Sequence, residues 1–273
     1  MTTNPKLFCK LCKCGDQIFL GQVNVGRIYS NHHKYPFGKN ANFIDYYLCS
    51  SCSFLYSPSW DNKDDKFWNE NIYNEDYVKS VDPDFVEKRS NDIAPVIHKI
   101  IDIFNTKEEF KIVDYGSGEA VLGNLLKNEG IQVDSFDPYS KSILSKKTID
   151  DTDMHQYDLL IAIEVFEHAV SPIELMEMLM QLANKDAKIL FTTKIRSEKN
   201  KDLEWPYIAP RNGHISIYSK KSLQVLSSKF DLIYTNLFFF HLFSKHKPGL
   251  GIKMRLLFVI FKFKLNFHLK RVF

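Results

Sequence analysis

Asp114, Gly116, Ser117 and Gly118 fall in one run, Val113-Asp-Tyr-Gly-Ser-Gly118, and Asp137 and Pro138 follow in Phe136-Asp-Pro-Tyr139. Two glycines in a tight turn let the backbone come close to a ligand. A dinucleotide loop of the GxGxxG type needs a third glycine at position 121, where this chain has Val121. A carboxylate two residues before the first glycine would repel a pyrophosphate. The same carboxylate suits a ligand that carries an ammonium and a sulfonium. Asp137 lies 23 residues beyond Asp114. An acid about twenty residues past such a loop can accept hydrogen bonds from both ribose hydroxyls. The plainer reading of Asp137 is a turn former ahead of Pro138.

A second chemistry is written in the cysteines. All five lie within the first 52 residues, as Cys9-Lys-Leu-Cys12, Cys14 and Cys49-Ser-Ser-Cys52. Each CxxC pair brings two thiolates to one side of a knuckle, and two knuckles complete a tetrahedral zinc shell. Cys9, Cys12, Cys49 and Cys52 are therefore expected to bind Zn2+, with Cys14 as the spare. A register using Cys12 and Cys14, or a set of ordinary free thiols, is the alternative. Gly15 can supply the positive φ that a knuckle needs, and an inserted hairpin can fill the gap between the pairs. A closed four-thiolate shell has no open position, so its role is structural. His32 and His33, between the knuckles, read as loop residues.

The candidate acids and bases lie further on. His214 stands in a loop between a strand and a helix, where it can serve as a general base; a structural histidine bonded to the backbone is the alternative. Glu164-Val-Phe-Glu-His168 groups two carboxylates with a second histidine. That cluster can line the pocket or hold a divalent metal. Tyr73 and Tyr77 can close over a cofactor or simply pack. Trp205, Tyr207 and Arg211 can form an acceptor wall suited to sugar rings and phosphates.

The elements that must position these groups follow from periodicity. Residues 112–113 read as a buried strand and residues 119–129 as a helix with Val121, Leu122, Leu125 and Leu126 on its apolar face. Residues 132–137, 157–163 and 187–193 read as further strands. Ser171, Pro172 and Glu174 form an N-cap, first-position and third-position helix start. Ahead of them Val86, Ile93, Ile97, Ile100 and Phe104 recur at helical spacing, with Pro95 expected to kink or divide the helix. The expected class is α/β: a Rossmann-like sheet behind a small zinc-ribbon-like module. The expected boundaries are residues 1–60 for the module, 61–82 for a connector, 83–242 for the nucleotide domain and 243–273 for a basic C-terminal segment.

With these residues in place the chain resembles the class I methyltransferases. VDYGSG, FDPY and YDLLIAIEVFEH carry the resemblance, the last most like the ubiquinone-type O-methyltransferases, over residues 84–235. It implies a seven-stranded sheet and S-adenosylmethionine as cofactor. Asp114, Gly116, Ser117 and Gly118 would surround its methionine part, Asp137 and Pro138 its ribose, and Glu164 would lie near it. The family loop often carries a third glycine where this chain has Ala120. The paired cysteines ahead of that domain also resemble zinc-containing sugar C-methyltransferases, through the stretch Arg211-Asn-Gly-His214-Ile-Ser-Ile-Tyr218. There the matching histidine is the general base, which implies that role for His214, with His168 as the second candidate. The tyrosine expected three residues earlier is Arg211 here, and the large extra C-terminal domain is missing. The resemblance therefore points to O-methylation of a sugar, nucleotide sugar or glycan. A quinone-like hydroxyl acceptor and a non-catalytic interaction module are the alternatives.

Eight of the 36 basic residues, and none of the 33 acidic ones, lie beyond Asp231. The rest of the chain is net acidic, which argues against a nucleic-acid footprint. No apolar stretch follows Met1, so no secretory signal is expected and the expected location is cytoplasmic. Strict alternation over residues 261–269 predicts an edge strand. The basic, apolar tail can complete the domain or act as a peripheral foot on anionic lipid.

Overall fold

The computed structural model describes residues 7–29, 41–83, 88–140, 142–197 and 202–272, the last seven by backbone course alone. In chain order the strands are β1 Gln17–Asn24, β2 Phe43–Cys49, β3 Leu55–Tyr56, β4 Ile112–Tyr115, β5 Asp134–Phe136, β6 Tyr157–Ile163, β7 Ala183–Thr192, β8 Ser216–Ile217, β9 Ile233–Leu237 and β10 Phe240–Ser244. The α-helices are α1 Asp65–Asn71, α2 Lys88–Phe104, α3 Val121–Asn128, α4 Pro172–Leu182, α5 Lys220–Ser228 and α6 Leu250–Val272. Two compact units divide the chain. The first takes Met1–Pro83, Glu164–Met178 and Thr193–Asp231; the second takes Asp84–Ile163, Leu179–Thr192 and Leu232–Phe273. His32, His33 and Val86 lie outside the described residues.

The second unit is built on a mixed sheet of order β5-β4-β6-β7-β10-β9. β5, β4, β6 and β7 run parallel, and β10 returns antiparallel between β7 and β9. β6 is a near-continuous apolar run buried along its length, as a strand covered on both faces must be. α2 buries Ile93, Ile97, Ile100 and Phe104 in the same core as Leu122 and Leu126 of α3. It runs unbroken through Pro95. Gly123 lets α3 lie close against β5: a Cβ at that position would collide with the Ser135 hydroxyl.

Among the described residues six strands stand where seven were expected. The stretch between Asp137 and Asp153 is polar and charged, with no apolar run to bury on a sheet. It is reduced to one parallel bridge, Phe136 to Lys146, with Lys146 N donating to Ser135 O at 2.7 Å and Asp137 N donating to Lys146 O at 2.9 Å. The Lys146 ammonium then pairs with Asp150 at 2.9 Å and Asp153 at 2.5 Å. The C-terminal edge strand expected at residues 261–269 is also corrected. That stretch belongs to helix α6. On a helix its alternating apolar residues fall on two opposite sides, and nearer the start of α6 Leu256 and Ile260 are drawn into the α2 core. Among the described residues no helix is long and apolar enough to cross a membrane.

The first unit holds a four-stranded antiparallel sheet of order β1-β2-β3-β8. The β1–β2 hairpin fills the interval between the two cysteine pairs, with a bulge between Phe19 and Gly21. Its core is aromatic: Phe54 stacks on Tyr56 at 5.5 Å between centroids and packs on Tyr218 at 5.1 Å. The expected connector contains α1, which starts at an Asp64 cap accepting from Phe67 N at 2.9 Å and buries Trp68. A single π-helical turn follows at Tyr77–Val81.

Candidate active site

β4 ends at Tyr115 and the chain must turn at once into α3. Gly116 and Gly118 take φ of +70° and +54°, which only glycine adopts without strain. Ala120, the N-cap of α3, takes φ +58°, a conformation that costs an L-residue about 1–2 kcal/mol. Here lies the physical reason that the resembling loops often carry glycine at this point. Gly116 N and Ser117 N donate to Phe136 O at 2.8 and 3.2 Å. The Asp137 carboxylate accepts from Gly118 N at 2.9 Å and from Tyr139 N at 2.8 Å. The glycine loop and the end of β5 are thereby one unit, as their spacing in the sequence suggested. Ser117 adds a hydroxyl contact to Ser145 at 2.9 Å, while Pro138 is exposed.

Asp114 is buried, with 2% of its surface accessible. Burial, reinforced by the charge of Asp137, pushes its carboxyl up to about 8. Burial also raises Asp137, against the backbone hydrogen bonds that favour its charged form. Among the described residues no lysine or arginine pairs with either carboxylate. Two acids thus converge at a glycine loop, and among the described residues no cation pairs with them. A cationic ligand relieves that repulsion and a diphosphate aggravates it.

The other candidate residues meet within the first unit. Glu164 follows directly on β6 and takes φ +53°, a strained geometry for a glutamate. Glu167 is fully buried, and burial followed by the charge of Glu164 holds its carboxyl well above the usual range. One carboxyl oxygen accepts a short hydrogen bond from the Tyr207 hydroxyl; the other, Oε2, is buried without a hydrogen-bond partner. The Tyr207 hydroxyl also lies 3.4 Å from Glu164 Oε2 and 3.2 Å from Thr193 Oγ1.

His214 is fixed at both ends. Its carbonyl accepts from the Tyr46 hydroxyl at 2.8 Å, and its ring Nδ1 lies 2.8 Å from the Tyr207 carbonyl oxygen. A carbonyl can only accept, so Nδ1 carries a proton, and in the neutral ring the lone pair is on Nε2. The His168 ring stands edge-on at 5.0 Å between centroids. Glu167, His168 and His214 each bring one ligand-type atom within 4.8 Å of the others. Gly213 makes the approach possible. Its φ is +86°, and a Cβ there would stand 2.9 Å from His168 Nδ1.

The cysteines converge as their spacing requires. Cys9, Cys12, Cys49 and Cys52 place their sulfurs within 4.8 Å of one another, with Cys9 to Cys52 at 3.7 Å and Cys12 to Cys49 at 3.5 Å. A tetrahedron with zinc–sulfur bonds of about 2.3 Å has edges of about 3.8 Å, so the set fits a zinc ion. The two knuckles share one backbone pattern. Lys13 N donates to Cys9 O and Ser53 N to Cys49 O, at 3.0 and 2.9 Å; Cys9 N donates to Cys14 O and Cys49 N to Phe54 O, both at 2.9 Å. The positive φ falls on Lys13 and Ser53, at +62° and +58°, and not on Gly15. The turn needs the left-handed residue immediately after each CxxC, or two before the position of Gly15 in the first knuckle. Cys14 stands outside the set, its sulfur accepting from Asp16 N at 3.4 Å.

This fold and loop geometry coincide with a match to the family described as "Methyltransferase domain", over residues 85–236. The chain belongs to the methyltransferase-domain family. As an enzyme it is a methyltransferase. No curated protein matches the methyltransferase. Among solved structures it is similar to the plantazolicin methyltransferase BpumL in complex with SAH, at 17% identity and TM-score 0.44, over 59% of this chain and 74% of that one. It is also similar to SAM dependent methyltransferases from Aquifex aeolicus and Archaeoglobus fulgidus. The first is 15% identical with TM-score 0.37 over 53% of this chain and 86% of that one. The second is 16% identical with TM-score 0.40 over 52% and 69%.

In this methyltransferase Asp114, Gly116, Ser117, Gly118, Asp137 and Pro138 gather in the second unit, and Glu164, His168 and His214 belong to the first. Tyr73 packs on Tyr77 at 5.4 Å and on His168 at 6.1 Å. Trp205 packs on Tyr207 at 5.2 Å. The Arg211 guanidinium is committed to Ile72 O and Asn74 Oδ1, both at 2.8 Å, which makes it first a brace of the segment between α1 and the π-helical turn. Sequence reasoning missed Arg27, which is buried and donates to Leu203 O at 2.6 Å and Trp205 O at 3.0 Å. It also missed Tyr207 as the group joining Glu167 to the His214 carbonyl bond network. Gly213, directly before His214, was the available signal for a close approach.

Proposed function

We propose that this methyltransferase moves the methyl group of S-adenosylmethionine to a hydroxyl of a sugar, nucleotide sugar or surface glycan, with His214 as general base. The observation that carries the cofactor half is the buried Asp114–Asp137 pair at the glycine loop, an acidic site suited to a cation. S-adenosylmethionine supplies an electrophilic methyl on a sulfonium whose departing thioether is neutral. The protein's task is then to align the acceptor and to take its proton. With the cofactor bound, an acceptor hydroxyl attacking its methyl carbon would expel the neutral thioether and give its proton to His214 Nε2. The Tyr207 carbonyl, accepting from Nδ1–H, holds the ring in the required tautomer and stabilises the imidazolium that forms.

A polyhydroxy acceptor is supported by a groove in the first unit of about 830 Å³. Trp60, Phe67, Glu70, Asn71, Asp76 and Arg211 are among its lining residues. Aromatic faces beside carboxylates and amides suit the alternating C–H and O–H of a sugar better than a flat quinone ring. The four cysteines are proposed to hold a structural zinc.

Incubation of the protein with methyl-labelled S-adenosylmethionine and panels of nucleotide sugars, glycans and quinols tests the acceptor. Acid-stable label in a sugar, as a methyl ether, is the expected product. Label confined to quinols would replace the sugar reading by the small-molecule one, and label in no panel would favour a non-catalytic module.

A further inference from the structure

Helix α6 is apolar on two opposite sides, and only one of them meets protein. Leu256 and Ile260 are fully buried in the core that contains α2, and Phe263 packs on Phe239 at 5.6 Å between ring centroids. Leu250, Met254, Phe258, Phe261 and Leu265 are instead 79%, 59%, 59%, 49% and 48% exposed. At about 100° per residue these five fall within an arc of about 80°, on the far side from the buried face. Ile252, 41% exposed, lies off this stripe.

The charges are placed with respect to the stripe. Arg255 and Lys262 lie about 80–100° to one side of its centre, and Lys253 and Lys264 about 80–100° to the other. All four are exposed, and the whole of Leu232–Phe273 contains no acidic residue. The Lys262 ammonium stands 4.6 Å from the Phe258 ring centroid, so its stem runs along the apolar face while its head stays at the edge. A protein-docking helix would need its partner to match a cationic rail on both sides. A lipid surface supplies that match everywhere: acyl chains for the stripe and anionic headgroups for both rails.

We propose that α6 is an in-plane membrane helix that seats the enzyme on an anionic lipid surface, with Leu250, Met254, Phe258, Phe261 and Leu265 inserted and the four basic residues at headgroup level. Among the described residues no stretch of helix is long and apolar enough to cross a membrane. The inference stands apart from the identity of the acceptor.

Co-sedimentation of the full chain with vesicles tests it. Vesicles of phosphatidylcholine with phosphatidylglycerol should bind the protein at an ionic strength of about 0.05 M, weaken at about 0.5 M, and exceed vesicles of phosphatidylcholine alone. Phe258→Asp with Phe261→Asp should lower partitioning by at least about 100-fold. Lys253→Gln with Lys262→Gln should lower it roughly 30-fold. All four residues are exposed, so both variants should keep the wild-type circular dichroism and methyl-transfer rate on a soluble acceptor. Equal partitioning to both lipid compositions would overturn the proposal. So would sedimentation velocity showing a dimer that the Phe258/Phe261 variant dissolves while the wild type ignores vesicles, because the stripe would then be a contact between copies.

Discussion

Replacing Cys49 and Cys52 together by serine should remove about one zinc per chain and unfold much of the first unit, at a cost above about 5 kcal/mol. The size follows from what the second knuckle holds. The Cys52 carbonyl accepts from the Ser219 hydroxyl at 3.3 Å, at the cap of α5. β3, three residues after Cys52, pairs with β8 through Leu55 to Ile217 and Tyr56 to Ser216. Ser57 N donates to Ile215 O at 2.9 Å, and the Tyr46 hydroxyl holds the His214 carbonyl at 2.8 Å. Both strands of that β3–β8 pair have only two residues, too few for a sheet to persist by itself. Without the metal, four thiols meet in a largely buried cluster and the chain regains the entropy that the knuckles remove. Elemental analysis should find zinc in the wild type and none in the variant, and the variant should melt far below it. A zinc-free protein with an unchanged melting temperature would remove the knuckle assignment.

His214→Ala should lower turnover by about 10²–10⁴ while leaving S-adenosylmethionine affinity within about threefold. The side chain is backed by the Tyr207 carbonyl and ringed by His168 and Tyr207, with centroids at 5.0 and 4.5 Å. Truncating it therefore removes a proton acceptor whose tautomer the fold has already fixed. Added imidazole should restore part of the rate, because the cavity left behind has the shape of the missing ring. Calorimetry and single-turnover kinetics on one preparation separate the two effects. Unchanged turnover would take His214 out of the mechanism. Loss of a bound divalent ion along with turnover would make the ring a ligand, together with Glu167 and His168, and not a base.

The parts of this account legible from the residues are those with short-range causes. The apolar run of β6, the Ser171 start of α4, whose hydroxyl accepts from Glu174 N at 3.3 Å, and the glycine turn after β4 each follow from a handful of neighbouring side chains. That Asp114 and Asp137 come to one edge was legible too, because adjacent parallel strands end on the same side of a sheet. Long-range contacts were not legible. Nothing local tells that Arg27 braces Leu203 and Trp205, or that Tyr207 reaches Glu167. β3 and β8 are too short to show a period, so their union across the chain was invisible. The missing strand was half-visible: the polarity of residues 139–153 was plain, but the family pattern pulled the count to seven. In α6 the alternation reads as a strand, and the burial of Leu256 and Ile260 against α2, which holds the segment as a helix, is a tertiary fact.

Isothermal titration of S-adenosylmethionine across pH, beside NAD, bears most directly on the acidic loop. Asp114 is held near 8 in the free protein, so at lower pH it is protonated and must lose that proton to face a cation. Affinity should therefore rise with pH, by roughly tenfold per unit below about 8, with proton release on binding, and then level off. Asp114→Asn should abolish this dependence and weaken binding, and NAD should give no heat. Binding of S-adenosylmethionine that ignores pH, or NAD bound as tightly, would contradict the claim that two buried carboxylates choose the cofactor.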